Sequence, residues 1–176
     1  PQEFTKDGIA VVVAKGTILD GNQPSGTIGG ESTARLLRKA RNNDKVKAVV
    51  LHVDSPGGSA FASEIIRQEV IELKNAGKPV VAVMSTYAAS GGYWISASAD
   101  KIIASPATIT GSIGIFGMLM TYEDSLAHLG VYTDGVSTTE LGFSSLSKTL
   151  PESLEQIIQR SIERGYEQFI TLVADN

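Results

Sequence analysis

The sequence predicts an α/β protein in which helices connect the strands of a parallel sheet. Apolar strand-like segments alternate with segments of helical periodicity, at a spacing typical of α/β crossovers. One segment, residues 79–84, is almost entirely apolar, as expected of a parallel strand covered on both faces. A composition of 42% hydrophobic residues with 18 glycines in 176 residues is ordinary for a globular α/β protein. We therefore expect one domain over residues 1–176.

The first half of the chain predicts two strand-helix units. Residues 9–14 form a β-branched run typical of a buried strand, and Ser32 or Thr33 is expected to cap the helix that follows. Residues 46–53 predict the second strand, which turns sharply into a helix over residues 60–76. The apolar face predicted for that helix comprises Phe61, Ile65, Ile66, Val70 and Leu73.

The second half of the chain has shorter and less regular elements. After the strand at residues 79–84, the pattern predicts a helix of small residues at 95–99, extended strands at 101–104, 108–115 and 131–136, a helix at 122–129 and a polar loop at 137–150. The last helix is expected to begin with Pro151. Its apolar stripe comprises Leu154, Ile158, Ile162, Phe169 and Val173.

Charge and composition exclude several classes of function. A net charge of -4 and a pI near 5.2 argue against nucleic acid as a partner, because phosphate binding needs a basic face. The chain has no cysteine, so it has no thiolate nucleophile and no cysteine-based metal site. No spacing of His and carboxylate residues suggests a metal, and the glycines of residues 111–117 lack the spacing of a dinucleotide site, so we expect no cofactor.

Two features bear on what surrounds the chain in the cell. No apolar run reaches the roughly 18 residues that a membrane span needs, and no signal peptide is visible. The chain begins with Pro1 and has no initiator methionine. We therefore expect a processed product or a piece of a longer protein whose anchor or partner domain lies elsewhere.

Ser90 is a candidate nucleophile at the turn between an apolar strand and a helix. The surrounding sequence, Ala88-Ala89-Ser90-Gly91-Gly92, leaves open backbone around the hydroxyl, so that a substrate carbonyl can approach. A helix N-cap is the alternative, because serine is a favoured N-cap residue. On local spacing alone, the N-cap is the more common role for such a serine.

A second turn, Asp54-Ser55-Pro56-Gly57-Gly58, also lies between a strand and a helix. Taken alone, such a turn is more often structural than functional. In a parallel sheet, however, both turns fall at the same carboxyl edge, where ligands bind. Gly57 or Gly58 could then donate one N–H and Gly91 another beside Ser90, which is the arrangement that acyl transfer requires.

The sequence offers no clear general base for Ser90. His52 lies within a strand and His128 on a short helix, and both are expected to be structural. A lysine can serve as the base if burial lowers its pKa. Lys148 is the only lysine after Lys101, but it lies in a polar loop and is expected to be a solvated surface residue.

Several motifs together resemble those of the signal peptide peptidase A (protease IV) family. They are Gly-Thr-Ile near Gly16, Asp54-Ser55-Pro56-Gly57-Gly58, Ala88-Ala89-Ser90-Gly91-Gly92-Tyr93, Ala99-Asp100-Lys101-Ile102 and Thr110-Gly111-Ser112-Ile113-Gly114, in family order. The resemblance implies the Clp-protease/crotonase fold of repeated ββα units and a serine peptidase that degrades signal peptides with a Ser/Lys dyad.

The resemblance also implies roles for individual residues. Ser90 would be the nucleophile, Gly57 or Gly58 with Gly91 would form the oxyanion hole, and Ser112 and Ile113 would help line the substrate groove.

The chain departs from the family pattern at the position of the lysine. That position falls on or near Thr138, so no base is present there. Longer family members carry two homologous domains in tandem, and this chain resembles the carboxyl-terminal, serine-bearing half. The resemblance therefore implies an amino-terminal homologous domain that supplies the lysine, a homo-oligomer, and a location at the bacterial inner membrane facing the periplasm.

Two alternatives to the peptidase remain at this point. A crotonase-like acyl-CoA enzyme would share the fold and the paired N–H donors but would need no serine at residue 90. A non-catalytic assembly domain would share the fold alone.

Overall fold

The computed structural model describes residues 6–139 and 145–176. Its strands are β1 (Gly8–Lys15), β2 (Ile18–Leu19), β3 (Ile28–Gly29), β4 (Val46–Ser55), β5 (Val80–Ala89), β6 (Lys101–Ile103) and β7 (Ile109–Gly111). Its helices are α1 (Gly30–Arg41), α2 (Ala60–Asn75), α3 (Gly91–Ala97), α4 (Glu123–His128) and α5 (Glu152–Asp175). None of the described helices has the length and apolar character needed to cross a membrane.

The strands form a parallel sheet in the order β1-β4-β5-β6. β7 also pairs in parallel with β5, at the carboxyl-terminal end of that strand. The short strands β2 and β3 pair with each other in a separate parallel ladder. The α/β class and the parallel sheet that the sequence predicts are thus confirmed.

The hydrophobic core lies on one face of the sheet. Alternate residues of β4 are fully buried there, and the core also includes Ile66, Val70 and Leu73 of α2. On the other face, β1 leaves Ile9, Val11 and Val13 more than half exposed. The prediction of a buried strand at residues 9–14 is therefore wrong for these three residues, because successive side chains of a strand point to opposite faces.

The chain divides into two compact units. The first, Pro1–Gly114 with Phe169–Asn176, contains the sheet and the helices α1, α2 and α3. The second, Ile115–Gln168, contains α4 and most of α5. The expectation of one domain over residues 1–176 stays a prediction.

Several predicted boundaries differ from the structure. Helix α1 begins at Gly30 without a side-chain cap, and the Ser32 hydroxyl donates to the carbonyl of Gly29 instead (3.3 Å). The structure has no strand at residues 131–136, where the sequence predicts one. Part of the loop predicted at 137–150, residues 140–144, lies outside the described residues.

The apolar faces of two helices are narrower than predicted. Phe61 of α2 is 70% exposed, although the sequence places it with the buried Ile66. In α5 only Phe169 and Leu172 are buried, whereas Leu154, Ile158 and Ile162 are half-buried. Periodicity thus located each helix, but neighbouring elements decide which positions are covered.

Replacement of Ile66 by alanine is expected to lower the free energy of unfolding by about 3 kcal/mol, because it leaves a cavity in the core. Phe61→Ala on the same helix is the matched control. It is expected to change that free energy by less than about 1 kcal/mol, because its ring is largely in solvent. Urea unfolding of both variants measures the difference, and similar losses would contradict the assigned core.

Candidate active site

Ser90 occupies the single residue between the end of β5 and the start of α3. Its backbone has φ 52° and ψ -119°, a conformation that residues other than glycine rarely adopt. Its N–H donates to the carbonyl of Gly111 (2.8 Å), and its carbonyl accepts from the N–H of Trp94 (2.9 Å). The surrounding hydrogen bonds therefore hold Ser90 in a strained conformation.

The side chain of Ser90 does not cap the helix. As the N-cap residue of α3 it makes no side-chain hydrogen bond to the helix, and its hydroxyl bonds to no described residue. Serine N-caps normally accept a hydrogen bond from one of the first N–H groups of the helix. The capping alternative that local spacing favours is therefore wrong, and the hydroxyl is left available for chemistry.

The turn at residues 56–59 lies directly against Ser90. β4 and β5 are neighbours in the sheet, and Ser55 pairs with Ala88 at their carboxyl-terminal ends. A Cβ placed on Gly57 would lie 2.8 Å from both the Cβ of Ser90 and the backbone nitrogen of Gly91. With φ at 105°, Gly57 also has a backbone conformation that favours glycine, so both geometry and space require that residue here.

The backbone N–H groups of this turn are not equivalent. The N–H of Gly57 donates to Oγ of Ser55 (3.1 Å) and is thereby occupied. The N–H groups of Gly58 and Gly91 donate to no other described residue. A Cβ placed on Gly91 would lie 3.3 Å from the nitrogen of Gly58, so the two free donors are close together beside Ser90. Such a pair of donors can stabilise a developing oxyanion.

Strand β2 holds the turn in place, a role that the sequence did not reveal. The N–H of Ile18 donates to the carbonyl of Gly57 (2.9 Å), and the carbonyl of Ile18 accepts from the N–H of Ser59 (2.8 Å). Ser59 also caps α2 by accepting from the N–H of Ala62 (3.1 Å). The two contacts of Ile18 join backbone groups, which carry no sequence signal beyond the glycines themselves.

β7 lies beside the last residues before the nucleophile. The hydroxyl of Thr110 donates to the carbonyl of Ala88 (2.7 Å). The predicted groove residues Ser112 and Ile113 follow β7 directly, and the first is exposed while the second is half-buried. Both therefore lie within a few residues of Gly111, the hydrogen-bond partner of Ser90.

Trp94 connects α3 to α2 and was not identified from the sequence. Its indole is 3% exposed and packs at 4.6 Å from the ring of Phe169. Its Nε1–H donates to Oε2 of Glu64 (2.8 Å). Glu64 also accepts hydrogen bonds from Arg67 and Gln68. The pairing of a buried indole N–H with a carboxylate satisfies a donor that would otherwise be costly to bury.

The environment of Glu64 favours its charged form. Burial raises the pKa of Glu64, but the hydrogen bonds from its three donors and the charge of Arg67 outweigh burial. The pKa of Glu64 therefore lies below its ordinary value. The side chain is consequently a carboxylate at neutral pH, and it accepts from both the indole and the guanidinium.

The structure does not join a base to Ser90 within the described residues. His52 lies inside β4, where its buried Nδ1 has no described partner, and His128 is exposed at the end of α4. Thr138, the position expected for the lysine, is exposed and belongs to the second unit, as does Lys148. Among the described residues, Ser90, Gly58 and Gly91 are thus assembled in the first unit, and no base is hydrogen-bonded to the Ser90 hydroxyl.

Comparison with known sequences identifies relatives across most of the chain. Residues 72–176 match the sequence model of peptidase family S49. The chain is 56% identical over 167 residues to Protease 4 of Salmonella typhi, and 55% identical over 166 residues to Protease 4 of Haemophilus influenzae. These matches cover 95% and 94% of this chain but 27% of either relative, so the chain spans about a quarter of their length.

A more distant relative and a solved structure extend the comparison. The putative signal peptide peptidase SppA of Enterococcus faecium is 36% identical over 140 residues, which are 78% of this chain and 40% of that protein. The fold is similar to that of a ClpP1 variant from Listeria monocytogenes, with a TM-score of 0.58, 17% identity and coverage of 94% and 70% of the two chains. The Clp-protease-like fold that the family resemblance implies is thereby confirmed.

Ser90→Gly is expected to raise the free energy of unfolding by about 1 kcal/mol, because glycine adopts a positive φ without steric strain. Ser90→Ala is the matched control, since it removes the hydroxyl but keeps the Cβ that causes the strain. Urea unfolding measures both variants. A glycine variant no more stable than the alanine variant would show that the conformation of Ser90 stores no strain.

Proposed function

Since this chain belongs to peptidase family S49, we propose that it is the nucleophile-bearing domain of a serine protease in which Ser90 attacks the scissile carbonyl. The observation that carries the proposal is the strained turn at Ser90. The free hydroxyl of Ser90 lies beside the N–H groups of Gly58 and Gly91, which have no hydrogen-bond acceptor among the described residues. A strained strand-to-helix turn is the usual way in which an α/β hydrolase exposes its nucleophile.

The proposed reaction proceeds in two stages. A base takes the proton of the Ser90 hydroxyl as Oγ bonds to the carbonyl carbon, and the carbonyl oxygen becomes an oxyanion. The same base then protonates the leaving nitrogen, the C–N bond breaks, and an acyl-enzyme remains. The base then takes a proton from a water molecule, which attacks the carbonyl carbon of the ester. The bond between that carbon and Oγ of Ser90 breaks, and the base returns the proton to Oγ.

Gly58 and Gly91 are the proposed oxyanion-hole donors. Their N–H groups are free of other described acceptors and lie beside Ser90. Gly57 is a poorer candidate, because its N–H already donates to Ser55. Its proposed role is instead to let the turn approach Ser90 closely. Each oxyanion-hole donor typically contributes about 3 kcal/mol of transition-state stabilisation.

The proposed base is a neutral lysine from another, homologous domain. Three points support this origin. The resemblance puts the family lysine on or near Thr138, the Ser90 hydroxyl has no described base partner, and the relatives are nearly four times as long as the matched segment. A lysine acts as a base only if its pKa is lowered by burial or by neighbouring charge.

The proposed substrates are peptides, and the proposed substrate class is signal peptides that have already been cleaved from their proteins. The name of the Enterococcus faecium relative supports this choice, as does the resemblance of the motifs. Ser112 and Ile113, which follow the hydrogen-bond partner of Ser90, Gly111, are the proposed groove residues. A homo-oligomer at the inner membrane, with this domain facing the periplasm, completes the proposal and rests on the resemblance alone.

The family match favours a peptidase over a crotonase-like acyl-CoA enzyme, which would need no serine at residue 90. A non-catalytic assembly domain predicts that Ser90 does not react with a serine-directed acylating probe, whereas a protease predicts that it does. The reactivity of Ser90 therefore distinguishes the two.

Ser90→Ala in the full-length protein is expected to lower kcat for peptide hydrolysis by about 1000-fold or more, because the nucleophile is lost. Ser85→Ala, on the same strand, is the matched control and is expected to keep full activity. A fluorophosphonate probe should label the wild type and the control but not the Ser90 variant. Retained turnover by Ser90→Ala would refute the assignment of the nucleophile.

The 176-residue chain by itself is expected to hydrolyse peptides at less than about a hundredth of the rate of the full-length protein, because it lacks the base. Lysine-to-alanine replacements in the remainder of the full-length protein should identify one lysine whose replacement lowers kcat as much as Ser90→Ala does. Equal rates for the isolated chain and the full-length protein would contradict a base from another domain.

A further inference from the structure

The two proposed oxyanion-hole donors lie at the starts of different helices. Gly58 immediately precedes Ser59, the N-cap of α2, whereas Gly91 is the first residue of α3. The spacing between their N–H groups therefore depends on how α3 lies against α2. An error of about 1 Å in the placement of a catalytic group can cost about 100-fold in rate.

The α2–α3 contact begins next to the donors themselves. A Cβ on Gly91 would lie 2.5 Å from Oγ of Ser63, which leaves no room for a side chain between the helices. The Ser63 hydroxyl is held by the carbonyl of Ser59 (2.8 Å). Contact at this point prevents a closer approach of the helices, but it does not prevent them from separating.

Hydrogen bonds further along the helices hold them together. Trp94 donates its indole N–H to Glu64 (2.8 Å), and Arg67 donates to Oγ of Ser98, the C-cap residue of α3 (3.0 Å). Glu64 and Arg67 are themselves joined by two hydrogen bonds of 2.8 and 2.7 Å. The carboxylate of Glu64 thus links these two attachments into one network, and Lys74 of α2 adds a third by donating to the carbonyl of Ser98 (2.8 Å).

The attachment through Trp94 lies within one helical turn of the nucleophile. The backbone N–H of Trp94 donates to the carbonyl of Ser90 (2.9 Å), so a displacement of Trp94 is transmitted to the turn. On its other side, the indole ring packs on Phe169. The ring is therefore held by apolar contact, and the direction of its N–H is set by Glu64.

We infer that Glu64 is a positioning residue for catalysis, which acts through the indole of Trp94 to fix the distance between the Gly58 and Gly91 N–H groups. This inference rests on the proposed function. It assigns to Glu64 an effect on transition-state stabilisation that packing of the two helices alone would not produce.

The test measures kcat and KM for peptide hydrolysis by the full-length protein and its variants, at a temperature well below the thermal unfolding midpoint of each. Trp94→Phe removes the indole N–H but keeps an aromatic ring on Phe169, and Glu64→Ala removes the acceptor. Each is expected to lower kcat about 10-fold with KM changed less than twofold, because a misplaced donor weakens binding of the oxyanion. Glu64→Gln retains an acceptor oxygen and is expected to recover most of kcat.

Glu72→Ala is the matched control, because it removes another glutamate of α2 that is paired with an arginine, Arg41 (2.7 Å). It should leave kcat unchanged. The double variant Glu64→Ala/Trp94→Phe should be no slower than the slower single variant, since both changes break one hydrogen bond. If Glu64→Ala does not fold, the positioning role is tested by comparing kcat of Trp94→Phe and Glu64→Gln with kcat of the control Glu72→Ala.

Three outcomes would overturn the inference: kcat within twofold of the wild type in both single variants, losses that multiply in the double variant, or Glu64→Gln as slow as Glu64→Ala. The rate of labelling by a fluorophosphonate separates this failure from failure of the proposed function. If the wild type is not labelled at Ser90, the proposed function is wrong. If the wild type and both single variants are labelled equally fast, only the positioning role is wrong.

Discussion

The parallel pairing of β4 with β5 is the interaction on which the rest of the site depends. Because the two strands run in the same direction and Ser55 pairs with Ala88, the turns that follow them meet at one edge of the sheet. The backbone around Gly57 then approaches Ser90 and Gly91 closely enough to exclude a Cβ. Two segments more than 30 residues apart in sequence thus form one compact site.

This close approach explains the distribution of free and occupied hydrogen-bonding groups. Ser55 accepts from Gly57, and Ile18 accepts from Ser59, so the N–H of Gly58 between them is the one left without a described acceptor. On the other side, Ser90 takes a conformation in which its hydroxyl makes no capping bond to α3, and the N–H of Gly91 stays free. Gly91 is buried, and buried donors are normally paired, so its unpaired N–H beside a free hydroxyl is a functional signal. Gly58 is exposed, so the signal at that residue is its closeness to Gly91 and Ser90.

The helices that follow the two turns hold the turns in fixed positions relative to each other. α2 and α3 each begin at one of the turns, and the contacts of Glu64 and Arg67 with α3 fix one helix on the other. Charged groups in such a position stabilise a fold only modestly when they are partly exposed. Their more distinctive effect is to define the orientation of the groups that they bind, here the indole N–H of Trp94.

The sequence by itself determined the order of β1, β4, β5, β6 and β7 and of the helices α1, α2 and α3, but not the short strands β2 and β3. It also determined both turns and the serine between Ala89 and Gly91. Those features depend on local composition, since apolar runs, glycines and small residues act on the backbone that carries them. The tertiary structure decided which side chains are covered: Ile66 and Phe61 lie on one helix, but only Ile66 faces the core. It also decided that the Ser90 hydroxyl makes no capping bond to α3, that Gly58 rather than Gly57 has a free N–H, and that Glu64 meets Trp94. Each of these depends on backbone conformations and contacts that exist only in the assembled fold.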